Sequence, residues 1–203
     1  MNAPAALRPH AADRIDGDVC YAVPFTERHL HDPAYLGWLR DIDVMRTIGR
    51  PDYWTPVPFD DVVAYCRGLF ASPNDYFFAL HYRADEAFVG TLRAGHINWR
   101  SRIADVGIMI GHRGYWGRGI GLDAVRALSR WLFERLEMRR LTGGAMAVNP
   151  AMIRIFEKLG FVHEARLRQQ DVLPEGGYCD HVHLGCFRHE YERAIGALGR
   201  HDG

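Results

Sequence analysis

The sequence predicts an α/β domain built on one mixed, mostly antiparallel sheet, and two patterns carry this prediction. Residues 76–83, 88–99 and 103–111 alternate apolar with polar side chains and are joined by short turns, which is typical of consecutive antiparallel strands. Residues 122–136 then place apolar side chains at steps of three and four, which predicts an amphipathic helix. Because this helix connects the third strand to a further strand at residues 141–148, those two strands are expected to run parallel.

The other elements complete the order β-α-α-β-β-β-α-β-α-β-β. Apolar periodicity and breaks that contain Pro or Gly place a first strand at residues 19–25, helices at residues 32–48, 59–71 and 150–159, and closing strands at residues 161–169 and 178–187. Residues 18–191 therefore form one predicted domain, with a loose tail before it at residues 1–17 and a second tail after it at residues 192–203.

Composition limits the classes of protein to which the chain can belong. Its 203 residues are 48% apolar, which is enough to bury one sizeable core. Lys plus Arg number 25 and Asp plus Glu number 25, so a nucleic acid or a membrane surface would meet no broad basic field. The sequence contains no run of 18 apolar residues and no apolar signal-peptide core near its start. We therefore expect a cytoplasmic protein that binds neither nucleic acid nor membrane.

The four cysteines lie scattered in apolar segments without a CxxC motif, as expected for reduced thiols. Cys179, His181 and His183 alternate along the last predicted strand and share one face, a pattern that zinc could use. A structural zinc site needs four ligands, however, and one strand face supplies two or three. We therefore predict no metal and interpret the pattern as a polar strand face or a subunit contact. A homodimer is the oligomer expected of a small enzyme.

The stretch before the amphipathic helix is rich in glycine and predicts an anion site. Gly117, Gly119 and Gly121 alternate where the first backbone N–H groups of the helix lack intrahelical partners and the helix dipole is positive. Such a helix mouth binds phosphate, and glycines let the backbone approach it closely. A P-loop is excluded because Leu122 and Asp123 stand where it needs Lys and then Ser or Thr. The GxGxxA dinucleotide fingerprint is matched from Gly119 onward, but it belongs in a parallel unit, and here antiparallel strands precede it.

Two motifs resemble the GNAT superfamily of acyl-CoA-dependent N-acyltransferases. They are YWGRGIG at residues 115–121 and, after one strand, NPAMIRIFEKLGF at residues 149–161. The general signature of the superfamily has Arg or Gln where Trp116 stands, and Tyr-Trp-Gly at this place is similar to the branch that contains the ribosomal-protein N-terminal acetyltransferases. The resemblance covers residues 19–191. It implies helices on both faces of the sheet and a V-shaped splay between the two parallel strands.

The resemblance also implies which residues bind acetyl-CoA as the co-substrate. Backbone amides of the glycine loop would cradle the pyrophosphate, nearby arginines would add charge, and the pantetheine arm would lie along the strand before the loop. An asparagine and an arginine of the second motif would contact the same ligand. The residues so implied are Ile108, Met109, Ile110, Arg113, Trp116, Gly117, Arg118, Gly119, Ile120, Gly121, Asn149 and Arg154.

The chemistry of acetyl transfer needs a base and a group that stabilises an oxyanion. A neutral amine attacks the thioester carbonyl, and its proton must pass to a carboxylate or a histidine, directly or through water. By the resemblance Asp105 is the candidate base, and its rivals are His96, Glu164 and Asp180. A backbone N–H of the strand before the glycine loop, near Met109 or Ile110, is expected to meet the oxyanion.

One position departs from the family pattern. Many GNAT members protonate the leaving thiolate with a tyrosine four residues before the glycine of the second motif, and here Phe156 stands at that position. Solvent, Tyr115 or another hydroxyl would have to supply the proton instead. The binding half of the function is therefore better defined by the sequence than the catalytic half.

These observations predict an enzyme that transfers an acetyl group from acetyl-CoA to a primary amine. The acceptor is left open among amino sugars, other small amines and protein N-termini. Arg50, Tyr53 and Trp54, in an irregular loop at residues 49–58, would suit an anionic small molecule. Two alternatives stay open: a non-catalytic acyl-CoA-binding or regulatory module, because of Phe156, and a dinucleotide-binding oxidoreductase, because of the fingerprint match.

Overall fold

A computed structural model describes residues 14–50 and 54–198 of the chain. An eight-stranded sheet crosses the domain in the order β1-β2-β3-β4-β5-β6-β8-β7. Its strands are β1 Ile15–Asp16, β2 Cys20–Pro24, β3 Tyr76–Tyr82, β4 Phe88–Asn98, β5 Ile103–Ile110, β6 Arg140–Met146, β7 Val162–Val172 and β8 Tyr178–Phe187. The helices are α1 Glu27–Leu30, α2 Pro33–Leu39, α3 Ile42–Met45, α4 Phe59–Ala71, α5 Ile120–Glu134, α6 Pro150–Lys158 and α7 Arg188–Leu198.

The predicted mixed sheet is confirmed. All neighbouring strands are antiparallel except β5 and β6, which run parallel and are joined by the crossover through α5. The apolar stripe of α5 drives this arrangement, because Val125, Leu128 and Leu132 are fully buried. The predicted order of elements is also confirmed apart from the division of its first helix, and the structure adds β1 and α1 to it, while the residues from Arg188, predicted as a short helix or a frayed end, form α7.

Helices cover both faces of the sheet, as the resemblance implied. One apolar cluster packs α5, α6 and α7 against the sheet and includes Leu128 and Phe156. A second cluster packs α1 to α4 and includes Leu30 and Trp38. Strand β5 contributes to both clusters, and the pleat of a strand explains the division, since side chains an odd number of residues apart point to opposite faces.

The segment predicted as one helix at residues 32–48 forms two helices, so the prediction of a continuous helix is wrong. Helix α2 ends at Leu39, and α3 begins at Ile42. Between them, Asp41 has an extended backbone and its carboxylate accepts the N–H of Asp43 at 3.0 Å. Such an N-cap satisfies a backbone donor at a helix start and favours a new helix over continuation of the old one.

The two tails are shorter than the sequence predicted. Residues 15 and 16, which were assigned to a loose tail at residues 1–17, form β1 and pair with β2. At the other end, α7 continues past residue 191 and ends at Leu198. The remaining tail residues, 1–13 and 199–203, lie outside the described residues.

A buried carboxylate on α5 holds the start of the domain. The carboxylate of Asp123 accepts hydrogen bonds from the backbone N–H groups of Asp18, Val19 and Cys20 at 3.0, 2.8 and 3.0 Å. It also accepts one from the Arg126 guanidinium at 2.5 Å. Burial alone would raise the pKa of Asp123, but these hydrogen bonds outweigh burial and lower that pKa. The β1–β2 turn is therefore fixed to the first turn of α5 by charge-assisted hydrogen bonds.

The two parallel strands separate soon after they meet. Strands β5 and β6 pair only at Ile103↔Arg140, Ala104↔Leu141 and Asp105↔Thr142. Beyond these pairs β5 continues along β4, and β6 continues along β8. The facing edges of β5 and β6 therefore do not pair with each other there. This is the V-shaped splay that the resemblance implied.

No helix in the described parts of the chain is long and apolar enough to cross a membrane.

The four cysteines are buried and carry free thiols. Burial raises the pKa of the Cys66 thiol to about 11, and the Tyr35 hydroxyl, 3.7 Å from its Sγ, offsets part of this rise. A thiol with so high a pKa is a packing residue and not a nucleophile at neutral pH.

Candidate active site

A cleft of about 1140 Å³ lies at the mouth of α5, between β5, the glycine loop, α3 and α6. The structure brings almost all of the residues implied for acetyl-CoA binding to this one place. Those that line the cleft are Ile108, Met109, Ile110, Arg113, Trp116, Gly117, Gly119, Ile120, Gly121, Asn149 and Arg154. Arg118 lies outside the lining of the cleft.

Backbone geometry explains two of the loop glycines. Gly117 and Gly119 have φ values of 77° and 79°, in the left-handed region that disfavours residues with a side chain. Gly119 is the N-cap of α5, and the first intrahelical bond runs from the N–H of Asp123 to its carbonyl. The N–H groups of Ile120, Gly121 and Leu122 therefore have no partner within the helix, at the positive end of its dipole.

The third glycine, Gly121, lines the cleft and also makes room for helix α6. A Cβ atom at Gly121 would lie 2.9 Å from Cδ1 of Ile155 on α6. At Gly117 and Gly119 the same Cβ atom would meet nothing within 4 Å. Gly121 thus lets α5 and α6 approach each other, while its N–H still belongs to the helix mouth.

The two arginines nearest the loop are engaged elsewhere. Arg113 forms an ion pair with Asp43 and lies 3.6 Å from Asp41, so it connects the loop to α3 across the cleft. The guanidinium carbon of Arg118 stacks 4.7 Å from the centre of the Tyr115 ring. The expectation that these two arginines add free charge at the pyrophosphate is therefore not supported by their contacts.

Helix α6 supplies positive charge to the cleft instead. Arg154 and Lys158 are exposed, line the cleft and stand four residues apart, so they share one face of the helix. Lys158 was not among the predicted residues, although its spacing from Arg154 could have identified it. Asn149 caps the same helix, because its side chain accepts the N–H of Met152 at 3.1 Å. This bond leaves the amide NH₂ of Asn149 as the group that a ligand could use.

Trp116 fastens the glycine loop to the end of β5. Its indole N–H donates to the carbonyl oxygen of Ile110 at 2.8 Å. A tryptophan in place of the Arg or Gln of the general signature thus has a structural role here. Tyr115 beside it donates its hydroxyl to Asp85 in the β3–β4 turn at 2.7 Å, and this bond raises the pKa of Tyr115. Tyr115 lines the cleft, but its hydroxyl proton is engaged by Asp85, so its contacts do not favour it as the acid for the leaving thiolate.

A second cavity, of about 460 Å³, lies on the face covered by α2, α3 and α4. It meets the cleft at the splay, because both are lined by Thr47, Ile48, Ile108, Met109, Asn149 and Met152. Its polar and charged lining residues beyond these are Tyr35, Arg50, Tyr65, Thr91, Arg93, His96, Asp105, His181 and His183. The two cavities, named here the anion cleft and the acceptor cavity after the roles expected from the sequence, therefore join at the gap between two parallel strands.

Asp105 lies in this cavity, at the last position where β5 pairs with β6. The hydroxyl of Thr142 donates to its Oδ2 at 2.8 Å. Burial raises the pKa of Asp105, and the nearby Thr142, His96, Arg93 and His183 offset only part of that effect. Its place in the cavity fits the predicted role as a base.

The three rival bases occupy different places. His96 lines the cavity from a bulge of β4, with a φ of 51° that the bulge imposes. Glu164 is ion-paired with Arg140, and Asp180 accepts Nε of Arg166 at 2.6 Å. Neither of these two carboxylates lines the cavity, so the structure gives them no contact with a substrate.

One cavity residue, His181, belongs to a His–Asp pair that sequence reasoning did not find, and its partner Asp171 does not itself line the cavity. Nδ1 of His181 lies 2.7 Å from Oδ2 of Asp171, and their side chains are only 24% and 14% exposed. The ring of His183 lies 4.8 Å from that of His181. The alternation of histidines along β8 was visible in the sequence. The contact of His181 with Asp171 was not predictable, because the register of β7 against β8 shifts between Leu167 and Asp171.

Within residues 14–50 and 54–198, no group of three or more His, Cys, Asp or Glu side chains is placed to hold a metal ion. The irregular loop contributes Arg50 to the cavity, and the Arg50 guanidinium lies 5.5 Å from the centre of the Tyr65 ring. Tyr53, which was predicted beside it, lies outside the described residues. Trp54 does not line the cavity.

An anion cleft and an acceptor cavity that meet at splayed parallel strands define a two-substrate transferase. Residues 23–162, more than half of the chain, match the acetyltransferase (GNAT) domain family. The chain therefore belongs to the GNAT acetyltransferase family and is an N-acetyltransferase. YjcK of Bacillus subtilis (strain 168), which carries the name probable N-acetyltransferase, is 27% identical over 147 residues, or 72% of this chain and 80% of that protein.

Solved structures share the fold at lower identity. The spermidine N-acetyltransferase from Vibrio cholerae in complex with CoA and spermine has a TM-score of 0.75 at 17% identity, over 85% of this chain and 97% of that one. RimL, a ribosomal L7/L12 alpha-N-protein acetyltransferase in complex with coenzyme A, has a TM-score of 0.73 at 16% identity, over 86% and 98% of the two chains. At these identities the likeness shows the fold and not the acceptor.

Proposed function

We propose that the protein transfers the acetyl group of acetyl-CoA to the primary amine of a small acceptor that also carries an acidic group. The observation that carries this proposal is the junction of the anion cleft with the acceptor cavity at the splay. A thioester in the cleft and an amine in the cavity would meet there. No covalent enzyme intermediate is needed, since the amine can attack the thioester directly.

The residues of the cleft fit acetyl-CoA. Free N–H groups at the mouth of α5 suit a pyrophosphate, and Arg154 and Lys158 add positive charge along the same cleft. The edge of β5 beyond Asp105 has no partner in β6, so its backbone groups can pair with the amides of pantetheine. The two solved structures described above are complexes with CoA, which supports the same ligand here.

The unpaired edge of β5 also suits the oxyanion. Attack of the amine converts the thioester carbonyl oxygen into an anion, which backbone N–H donors fixed in place would stabilise. Met109 lines both the cleft and the cavity and lies on this edge, so its neighbourhood is our proposed oxyanion site. Asp105, with a carboxyl group in the same cavity, is the residue that we propose to hold the acceptor amine as it arrives.

The charges of the cavity favour an acceptor with its own negative group. Arg50 and Arg93 line it, and Asp105 is the only carboxylate among the described residues of its lining. A polyamine would find one counter-charge there, whereas a carboxylate or a phosphate would find the guanidinium of Arg50 and that of Arg93, which is paired with Asp75. Aromatic rings from Tyr35 and Tyr65 provide a flat apolar wall beside them.

The experiment is a thiol-release assay with acetyl-CoA and four acceptors: glucosamine 6-phosphate, glucosamine, spermidine and a protein N-terminal peptide. The last two represent the acceptors of the spermidine and ribosomal-protein N-acetyltransferases described above. We expect the phosphorylated amine to react faster than glucosamine and than spermidine. CoA binding without thiol release for any amine would favour a non-catalytic module. Thermal stabilisation by NAD(P) and not by CoA would favour the oxidoreductase.

A further inference from the structure

We infer that His181, positioned by Asp171, accepts the proton of the attacking amine in the proposed acetyl transfer. The inference deepens the proposed function and depends on it. It assigns the base to a pair of residues on the two outer strands β8 and β7, which reach the cavity from the side opposite to β5. The assignment differs from the sequence prediction, which placed the base at Asp105.

The pair has the geometry of a histidine fixed by a carboxylate. Nδ1 of His181 and Oδ2 of Asp171 are 2.7 Å apart, and both side chains are largely shielded from water. Asp171 as a carboxylate can only accept, so the proton of neutral His181 lies on Nδ1. The lone pair then lies on Nε2, which is the form of imidazole that accepts a proton.

A glycine in β6 makes room for that nitrogen. Position 144 lines the cavity, and a Cβ atom there would lie 2.5 Å from Nε2 of His181. Gly144 is not among the glycines with positive φ, so its backbone does not require glycine. The missing side chain at Gly144 therefore leaves room for Nε2 of His181 beside β6, between two residues that both line the cavity. This observation is independent of the hydrogen bond to Asp171 and directs the same nitrogen to the same place.

Charged and titratable groups reach the cavity from every element around His181. They are His183 from β8, Asp105 from β5, Arg93 and His96 from β4, and Arg50 from the loop after α3, while Asp171 from β7 contacts His181 without lining the cavity. Arg93 is itself held by Asp75, with its Nη2 2.5 Å from Oδ1. Asp171 is the one carboxylate bonded to His181, so it stabilises the imidazolium that forms when the proton arrives.

The step balances without any further reactant. The amine nitrogen forms a bond to the thioester carbon, the carbonyl oxygen becomes an oxyanion, and the nitrogen loses its proton to Nε2 of His181. Collapse of the oxyanion breaks the C–S bond and releases thiolate. The imidazolium returns the proton to the thiolate through solvent, so the products are an amide and the free thiol of CoA. The absence of a hydroxyl at Phe156 is compatible with this route, because no side-chain acid is required at that position.

The test measures kcat/KM against pH by thiol release, with the panel amine that the native protein acetylates fastest. His181→Gln should lower kcat/KM by about 10²- to 10⁴-fold and remove the acidic limb of the profile, with the affinity for CoA unchanged. Asp171→Asn should lower it on the order of tenfold, through kcat and not through KM, since Nδ1 loses the acceptor that fixes the tautomer of His181. Gly144→Ala should lower it too, because Cβ displaces Nε2.

His163→Gln is the matched control. His163 lies on the same strand as Asp171, and its Nε2 is 2.7 Å from Oε1 of Glu157, but this pair is exposed and outside the cavity. We expect its profile to equal that of the native protein. Nitrogen NMR of His181 gives a readout without turnover: the native protein should show the Nδ1-protonated tautomer.

Three outcomes would overturn the assignment. The first is an acidic limb of the pH profile that persists in His181→Gln. The second is a profile that loses its acidic limb in Asp105→Asn while kcat/KM of His181→Gln equals that of the native protein. The third is an Nε2-protonated tautomer of His181 in the native protein. Failure of the native protein to release thiol with every amine overturns the proposed function, and the assignment with it. The two kinds of failure are distinguishable, because the three outcomes that overturn only the base assignment are observed with a native protein that releases thiol, or by NMR without turnover.

Discussion

The para carbon of the Phe156 ring lies against the Cα face of Gly143, in the position that a side chain on β6 would otherwise occupy. Phe156 is fully buried and its ring also packs 4.8 Å from that of Phe161. Helix α6 can therefore sit close to β6 because one residue is aromatic and the other has no side chain. The family's usual tyrosine would direct its hydroxyl into this contact.

Phe156→Tyr should consequently lower stability without improving catalysis. The added hydroxyl enters a filled site, which costs about 1–3 kcal/mol of unfolding free energy. We expect kcat for thiol release to stay level or to fall. Urea denaturation and the thiol-release assay measure the two quantities. A variant of native stability with a higher kcat would show that the site has room for a tyrosine acid.

Asp123→Ala should destabilise the protein in a pH-dependent way. The substitution leaves three backbone N–H groups without their acceptor and costs on the order of 3 kcal/mol near pH 7. The folded-state pKa of Asp123 is lowered, so its contribution is present above the unfolded value of about 3.9 and is lost as pH falls through the folded value. Urea denaturation from pH 7 to pH 3 should show the native and variant proteins converging at the acid end.

Asp18→Asn is the control for that series. Asp18 pairs with the same Arg126 at 2.5 Å, but its side chain is 81% exposed. Solvent screens such a pair, so we expect little change in the urea midpoint. Equal destabilisation by both substitutions would show that the arginine, and not the three N–H bonds, supplies the stabilisation.

Gly119→Glu should abolish acetyl-CoA binding, because it places bulk and negative charge at the mouth of α5. Gly176→Ala in the β7–β8 turn is the control. Gly176 also has a positive φ and open space around it, so a side chain there brings a similar backbone strain without touching the cleft. Calorimetry with CoA should detect binding by the control and not by Gly119→Glu. Native affinity in Gly119→Glu would refute the assignment of the helix mouth to the pyrophosphate.

Arg50→Gln should act selectively on acidic acceptors. Loss of its guanidinium should raise KM for glucosamine 6-phosphate by about tenfold, as expected for one charge-assisted contact. KM for glucosamine, which has no phosphate, should change little. Steady-state kinetics with the two amines make this comparison within one variant. Equal effects on both amines would mean that Arg50 shapes the cavity and does not bind the acid group.

Local patterns were sufficient to predict most of the fold. The alternation in β3, β4 and β5 and the stripe of α5 depend on nearest neighbours in the chain, and the observed bounds lie within a few residues of the predicted ones. The break at Asp41 was missed because an apolar periodicity continues through it, although an N-cap residue was present in the sequence. The anchoring of the β1–β2 turn by Asp123 joins residues more than 100 positions apart, and no local pattern reveals it.

The site divides in the same way. The cleft follows one continuous stretch of chain and a second motif, so its residues could be named from the sequence. The contacts that redirect Arg113 to Asp43 and His181 to Asp171 depend on how separate elements pack, and those were not predictable. Predicting the His–Asp pair would have required the register of β7 against β8, which a bulge alters.

The cleft and the acceptor cavity have separate linings and share only the residues at the splay. Each substrate can therefore enter while the other is bound, and neither must leave before the second arrives. Initial rates measured over both concentrations should then give intersecting double-reciprocal lines, with either substrate able to bind first. In a single deep pocket CoA and the amine would compete for one entrance. The splay of β5 and β6 gives each of them an entrance of its own.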